Sequence, residues 1–368
     1  MYKEQITDKE AFCLIALFIM GSTLILGAGG EAKNDSWLAA IVGLIFAIPM
    51  LFIYSRLLFL FPEKDLFDIL NIIFGNFFGK IISILYIWYA FHLGALVLRN
   101  FGEFMNTVTM PETPMLVSLF CMGMICVIAV NLGIEVISRF SAYVFPILIF
   151  ILVFIDLLGI TNIHFSNIKP FLGNGITPVL KGGFLSFSFP FAESVLFLGV
   201  FFSLKTKKSP LKIYLSGVIF AGVICISLTA RNILVLGEFR EKLYFPSYAA
   251  VSRINIGDFL QRMEGSVALV LLLGVFIKTS ICLFVACKGI SKLFNLNHYS
   301  SITIQVGLLM IYFSRTVFDS TMEMQNWAFK VYRYYAFPFQ VIIPIFIWIF
   351  AEVKIALGKN KSKGAASK

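Results

Sequence analysis

Charged side chains are scarce. Asp, Glu, Lys and Arg make up 14% of the 368 residues, against roughly 25% in soluble domains. With 59% hydrophobic residues, the chain cannot present an ordinary polar surface to water, and a polytopic membrane protein is expected. Histidine is scarcer still, and His92, His164 and His298 are too scattered for metal-ligand spacing. Cys13, Cys121, Cys126, Cys225, Cys282 and Cys287 lie in apolar runs and form no C-x-x-C pair, so neither a zinc site nor a disulfide framework is indicated. No G-x-S-x-G, P-loop or H-E-x-x-H sequence occurs. Nothing therefore recommends hydrolysis or ATP use, and the chain is expected to be neither an enzyme nor a cofactor carrier.

What is present is a succession of apolar runs of membrane-spanning length. They fall near 11–30, 37–55, 81–98, 113–134, 140–161, 182–203, 212–230, 265–287, 299–314 and 334–352. Ten spans put both termini on one side. That side collects more than half of the 30 Lys and Arg, which predicts cytoplasmic N and C termini. The net charge of +10 is then matched to anionic lipid headgroups rather than nucleic acid. The first run follows MYKEQITDKE without a small-residue cleavage site, so it reads as a retained span. The whole chain, 1–368, is expected to form one membrane domain. Its first half covers about 11–161, its second about 182–352, and 358–368 form a basic disordered end. Residues 61–80 read as an interfacial segment. Residues 231–264 read as an external connection broken at Gly237, Pro246 and Gly257, with Asp258 and Gln261 as a helix start.

Two runs carry faults at membrane depth. Residues 182–203, GGFLSFSFPFAESVLFLGVFFS, contain Pro190 and Glu193. Pro190 cannot donate a backbone hydrogen bond and its ring clashes with the carbonyl of Ser186. Glu193 puts a carboxylate where an ionised group is most costly. A proline-kinked helix bonding Glu193 to a neighbour is one reading. A helix broken around a polar binding site is the other, since a break leaves free carbonyls on one side and free N–H groups on the other. The first run supports the second reading, being interrupted at Gly21-Ser22-Thr23, where glycine permits unwound backbone. Paired interrupted spans, one opening each half, point to a transporter-type site. A zwitterion such as an amino acid satisfies both kinds of helix end, and Phe187, Phe189 and Phe191 could enclose its side chain. Lys278 lies deep in the eighth run, either snorkelling or serving as an internal cation for ion or proton coupling, with Thr279 and Ser280 as neighbouring oxygen donors. Asp156 reads as solvated at the outer interface, and Arg99 with Glu103 as an ordinary helix-end pair.

Three segments carry a resemblance: ITDKEAFCLIALFIMGSTLILGAGGEAKNDSWLA at the start, FPFAESVLF in the centre and FPSYAAVSRINIGDFLQRME before the eighth run. In their order and in the ten-span layout the chain resembles the B-subunit family of spore nutrient germinant receptors. These belong to the amino acid–polyamine–organocation transporter superfamily. The resemblance implies an all-α integral membrane protein with the LeuT-type fold: ten transmembrane helices in a five-plus-five inverted repeat, the first and sixth broken. It implies a place in the spore inner membrane, a small germinant, often an amino acid, and partner A and lipoprotein C subunits. Pocket positions carry over to Gly21, Ser22 and Thr23, to Phe187, Ser188, Phe189, Phe191, Ala192 and Glu193, and to Tyr89, Lys278 and Thr279. Lys278 departs from the uncharged eighth span of sodium-coupled relatives, which puts sodium dependence in doubt. A proton-coupled amino acid symporter, with Lys278 or Glu193 in the proton step, is the alternative reading of the same pocket.

Overall fold

The computed structural model describes residues 4–21, 23, 27, 29–206, 210–254 and 264–366. The side chains of 264 and 358–366 are not among what it describes. Within the described residues the apolar runs are helices, and the strand-like pairing is one isolated parallel bridge between Ile6 and Leu204. The helices are α1 (Asp8–Met20), α2 (Ser36–Leu60), α3 (Leu66–Phe104), α4 (Met115–Leu132), α5 (Ile134–Leu158), α6 (Ile176–Ser188), α7 (Pro210–Leu236), α8 (Pro246–Val251), α9 (Glu264–Leu293), α10 (Ser300–Thr316), α11 (Thr321–Asn326), α12 (Tyr332–Phe337) and α13 (Ile343–Ala366). A 3-10 stretch, Phe191–Gly199, continues α6, and π-helical turns at Trp327–Val331 and Pro338–Ile342 join α11, α12 and α13.

Eight helical stretches among the described residues are long and apolar enough to cross a membrane. The other two expected spans coincide with α1 and α10, whose continuous helices have 13 and 17 residues. α1 is short because it stops at Gly21, at the expected glycine fault. It starts cleanly, with a capping box in which Thr7 and Glu10 satisfy one another's backbone N–H groups.

Several boundaries differ from the hydropathy reading. α3 begins at Leu66, where Asp65 accepts from the Asp68 N–H, and it kinks at Gly75 (φ 72°, ψ −177°). The part before the kink is the segment expected at the interface. The tenth span begins at Thr321 rather than 334, because Glu323, Lys330 and Arg333 dilute its hydropathy without breaking the helix. The backbone of α13 is helical to Ala366 through the end read as disordered; the stretch after Pro344 holds no proline to stop it. The connection after α7 does fold as short pieces, the 3-10 turn Gly237–Lys242 and α8. Gly257, Asp258 and Gln261 lie outside the described residues.

α9 has packing partners in both halves of the chain. It packs on α1, α3, α4, α5 and α10, and apolar residues on all its faces suit that place. α6 lies along α2, and there the backbones meet closely. A Cβ at Gly43 would sit 2.6 Å from Ser186 Cβ and 2.8 Å from the Phe187 nitrogen. Gly43→Leu should therefore force α2 and α6 apart, at a cost typical of overpacking, about 1–3 kcal/mol. Gly265→Ala meets nothing within 4 Å and should be neutral. Thermal unfolding of the two variants in detergent checks this; equal midpoints would contradict the close contact.

Candidate functional site

The break in α6 follows from Pro190. The helix stops at Ser188, Phe189 turns extended (φ −133°, ψ 110°), and Phe191–Gly199 resumes as a 3-10 helix. A residue before proline favours that conformation, and the missing proline N–H cannot serve Ser186. The freed Ser188 carbonyl accepts from Gln340 Nε2 at 2.8 Å, while Ser188 Oγ donates to Gln340 Oε1 at 3.0 Å. The tenth span thus caps the break.

Glu193 sits one turn beyond. Its Oε2 pairs with Lys278 Nζ from α9, and its Oε1 accepts from Tyr332 at 2.5 Å; both charged side chains are 0% exposed. Tyr332 lies 3.3 Å from the Tyr89 hydroxyl, which accepts from Gln340 Nε2 at 2.9 Å. Tyr54 closes the chain by donating to the Gln340 carbonyl. Lys278 Nζ also stands 5.2 Å from the centre of the Phe18 ring and 4.9 Å from that of Phe189, where the ring faces favour a cation. One continuous polar network therefore joins α2, α3, the broken sixth span, α9 and the tenth span. Lys278 does not snorkel: its ammonium is buried against Glu193.

The first span approaches the same point. A Cβ on Gly274 would lie 2.8 Å from Gly21 Cα, and one on Gly21 would lie 3.1 Å from Lys278 Cδ. Glycine at both positions lets the end of α1 rest against α9 beside the lysine. Thr23 Oγ1 donates to the Ile19 carbonyl at 3.0 Å, holding the last turn rather than facing open space. Ser22 lies outside the described residues.

An internal cavity of about 40 Å³ adjoins Glu193. That is space for a few waters and too little for an amino acid. Its wall is apolar, with Leu93, Val97, Leu185, Phe318, Trp327 and Phe329. Its polar corner is Glu193 with Tyr332, and Asn100 also lines the wall. Of the expected pocket residues, Phe189 and Glu193 line it. Phe187, Phe191 and Ala192 are buried in core packing, and Ser188 and Tyr89 belong to the network behind it. Thr279 and Ser280 are buried on α9 away from the cavity wall.

Sequence reasoning missed Tyr332, Gln340, Trp327 and Phe329, all on the tenth span. Trp327, Phe329 and Tyr332 precede the expected start at 334, where charged residues lower the hydropathy, whereas Gln340 lies inside the expected run as a lone polar residue in an apolar series. Two pairs also prove less ordinary than expected. Arg99 and Glu103 are buried and tie α3 to the Arg315 carbonyl and to Thr321. Asp156 is held by Arg231 at 2.7 Å.

Removing one member of a buried pair leaves an uncompensated charge, typically about 3–5 kcal/mol, whereas removing both is far milder. Lys278→Met and Glu193→Gln should each lower the unfolding midpoint of the purified protein more than the double variant does. Additive effects would mean the two groups are not coupled.

A family model described as spore germination protein matches residues 5–321. Spore germination protein KB of Bacillus subtilis (strain 168) is 30% identical across all of both chains. Spore germination protein XB of Bacillus anthracis is 26% identical over 74% of this chain and 78% of its own. Among solved structures, a nucleobase–cation symport-1 family transporter, closed with bromovinylhydantoin bound, superposes with a TM-score of 0.63 at 12% identity, covering 89% of this chain and 75% of that one. A substrate-bound, outward-open Na+-coupled sialic acid symporter gives 0.64 at 10% identity, covering 89% and 77%. Such low identities show the fold alone, the LeuT-type transporter fold in an integral membrane protein. Matched over most of its length by the family and over all of it by a relative at 30% identity, the chain belongs to the spore germination protein family.

Proposed function

We propose that the chain is the B subunit of a spore nutrient germinant receptor and that a small nutrient, an amino acid by the chemistry of the helix breaks, occupies the cavity beside Glu193. The observation carrying this reading is the buried Lys278–Glu193–Tyr332 network at the break of the sixth span, against a cavity with one polar corner. The protein acts in the inner membrane of the spore, with cytoplasmic termini, beside an A subunit and a lipoprotein C subunit.

The mechanism follows from what a ligand can change. The cavity must enlarge to admit it, and the segment from Phe318 to Tyr332 forms much of the wall. This segment carries the π-helical turn Trp327–Val331, a geometry that recurs at functional sites. A ligand ammonium or hydroxyl at the polar corner competes with Tyr332 for Glu193. The tenth span then shifts relative to the broken sixth, and that shift is passed to partner subunits. Binding biases the equilibrium only by its differential affinity for the two arrangements.

A proton-coupled symporter is the second reading, favoured by one observation: a buried acid, amine and phenol in hydrogen-bonded series form a route for proton exchange. Uptake of labelled amino acids into liposomes under a pH gradient separates the two. Concentrative uptake supports the symporter, and binding without flux supports the receptor.

Spores carrying Tyr332→Phe keep the ring but lose the phenol bond to Glu193. A hydrogen bond to a charged group contributes about 1.5–3 kcal/mol, and the ligand no longer competes with it, so half-maximal germination should move by about tenfold or more to lower nutrient concentration. Glu193→Gln should shift it the other way, to higher concentration, because the ligand loses the carboxylate it binds, with the protein still present in the membrane fraction. Unchanged dose responses in both would remove this corner from the site.

A further inference from the structure

The wall that holds Gly27 and Phe329 has a second cavity on its other side. It measures about 370 Å³, within the range of small-molecule sites. Its wall is more polar than that of the inner cavity: beside Leu243, Pro246 and Phe329 it carries Glu31, Lys33, Asn232, Arg240, Glu241 and Gln325. Most of the charges there are spoken for. Glu31 is bound by Arg333 at 2.8 Å, and Lys33 lies 3.9 Å from Glu241. Arg240 is different. It is 8% exposed, and its guanidinium donates to two neutral acceptors, the Lys33 carbonyl at 2.7 Å and Ser36 Oγ at 3.1 Å. Among the described residues no carboxylate oxygen lies within 4.0 Å of it. Glu241, itself beside Lys33, is the negative charge that acts on it without touching it. A guanidinium has five N–H donors in a fork that fits a carboxylate, and a buried cation without a contacting one is costly.

We propose that this vestibule is a second binding site, in which Arg240 takes the carboxylate of a small zwitterion, an α-amino acid, while Glu31 or Glu241 faces its ammonium. It stands in series with the inner cavity, with Phe329 in the wall they share. The charges select the class. A simple anion would meet the two wall carboxylates, and an uncharged sugar would leave the Arg240 guanidinium without a carboxylate in contact. The inference deepens the nutrient-site reading and rests on it only for the order of the two sites.

The test is equilibrium titration of the full chain in lipid nanodiscs with L-alanine, L-leucine and L-asparagine, each beside its decarboxylated amine, and with glucose. Wild type, Glu193→Gln, Arg240→Gln and Arg240→Lys are compared. At least one amino acid should bind and should still bind the Glu193→Gln protein, and the matching amine should not. Arg240→Gln in that background should weaken binding about tenfold or more, the loss of one charge-assisted pair. Arg240→Lys, which keeps the charge and the fold-stabilising donor, should retain part of the affinity and carry the test if the glutamine variant unfolds. Binding of amine or glucose as tight as amino acid, affinity unaltered in both arginine variants, or no amino acid binding at all would overturn the vestibule site. Loss of all binding in Glu193→Gln alone would overturn it too and leave the inner cavity as the nutrient site.

Discussion

Lys278 and Glu193 bring opposite charges together inside the bundle, with both side chains at 0% exposure. Neither ion could remain there alone, because the desolvation cost of each is several kcal/mol. Their mutual attraction, the Tyr332 hydrogen bond and the Phe18 and Phe189 ring faces offset it together. The arrangement places strict demands on the surrounding helices. The sixth span must break so that Glu193 is turned to α9, the first must end at a glycine so that α1 can approach the lysine, and the tenth must deliver Tyr332 and Gln340.

The same constraint links stability to response. Five elements meet at one network, so a displacement of any one is felt by the others. The site adjoins rather than contains the charges: the cavity wall is mostly apolar, and Glu193 is the group that belongs to both. Anything that perturbs Glu193 from the cavity side therefore perturbs the interface between the sixth, eighth and tenth spans. Beside it lies a second cavity with charged residues in its wall, and Phe329 lines both spaces.

Much of this was legible in the residues. Composition and run length gave the helical membrane fold, and Pro190 with Glu193 marked the break and its charge. Gly21 marked the end of α1. Lys278 could be located but not paired, since partner choice depends on which face of α9 meets the sixth span. The pocket wall was read too locally. Phe187 and Phe191 are adjacent to the break in sequence yet point into packing, while Trp327 and Phe329 arrive from a span more than a hundred residues away. Hydropathy placed the start of that span thirteen residues late, because its charged residues are satisfied by specific partners such as Glu31 for Arg333. Pairing of that kind leaves no local trace in a single sequence.

The most direct measurement is the infrared difference spectrum of the purified protein in lipid, recorded with and without a nutrient that germinates spores carrying it. A carboxylate coupled to the cavity should change its stretching bands on ligand addition, and those bands should vanish from the difference spectrum of Glu193→Gln. Difference spectra of the two proteins that coincide would contradict the account, because the ligand would then leave the buried pair untouched.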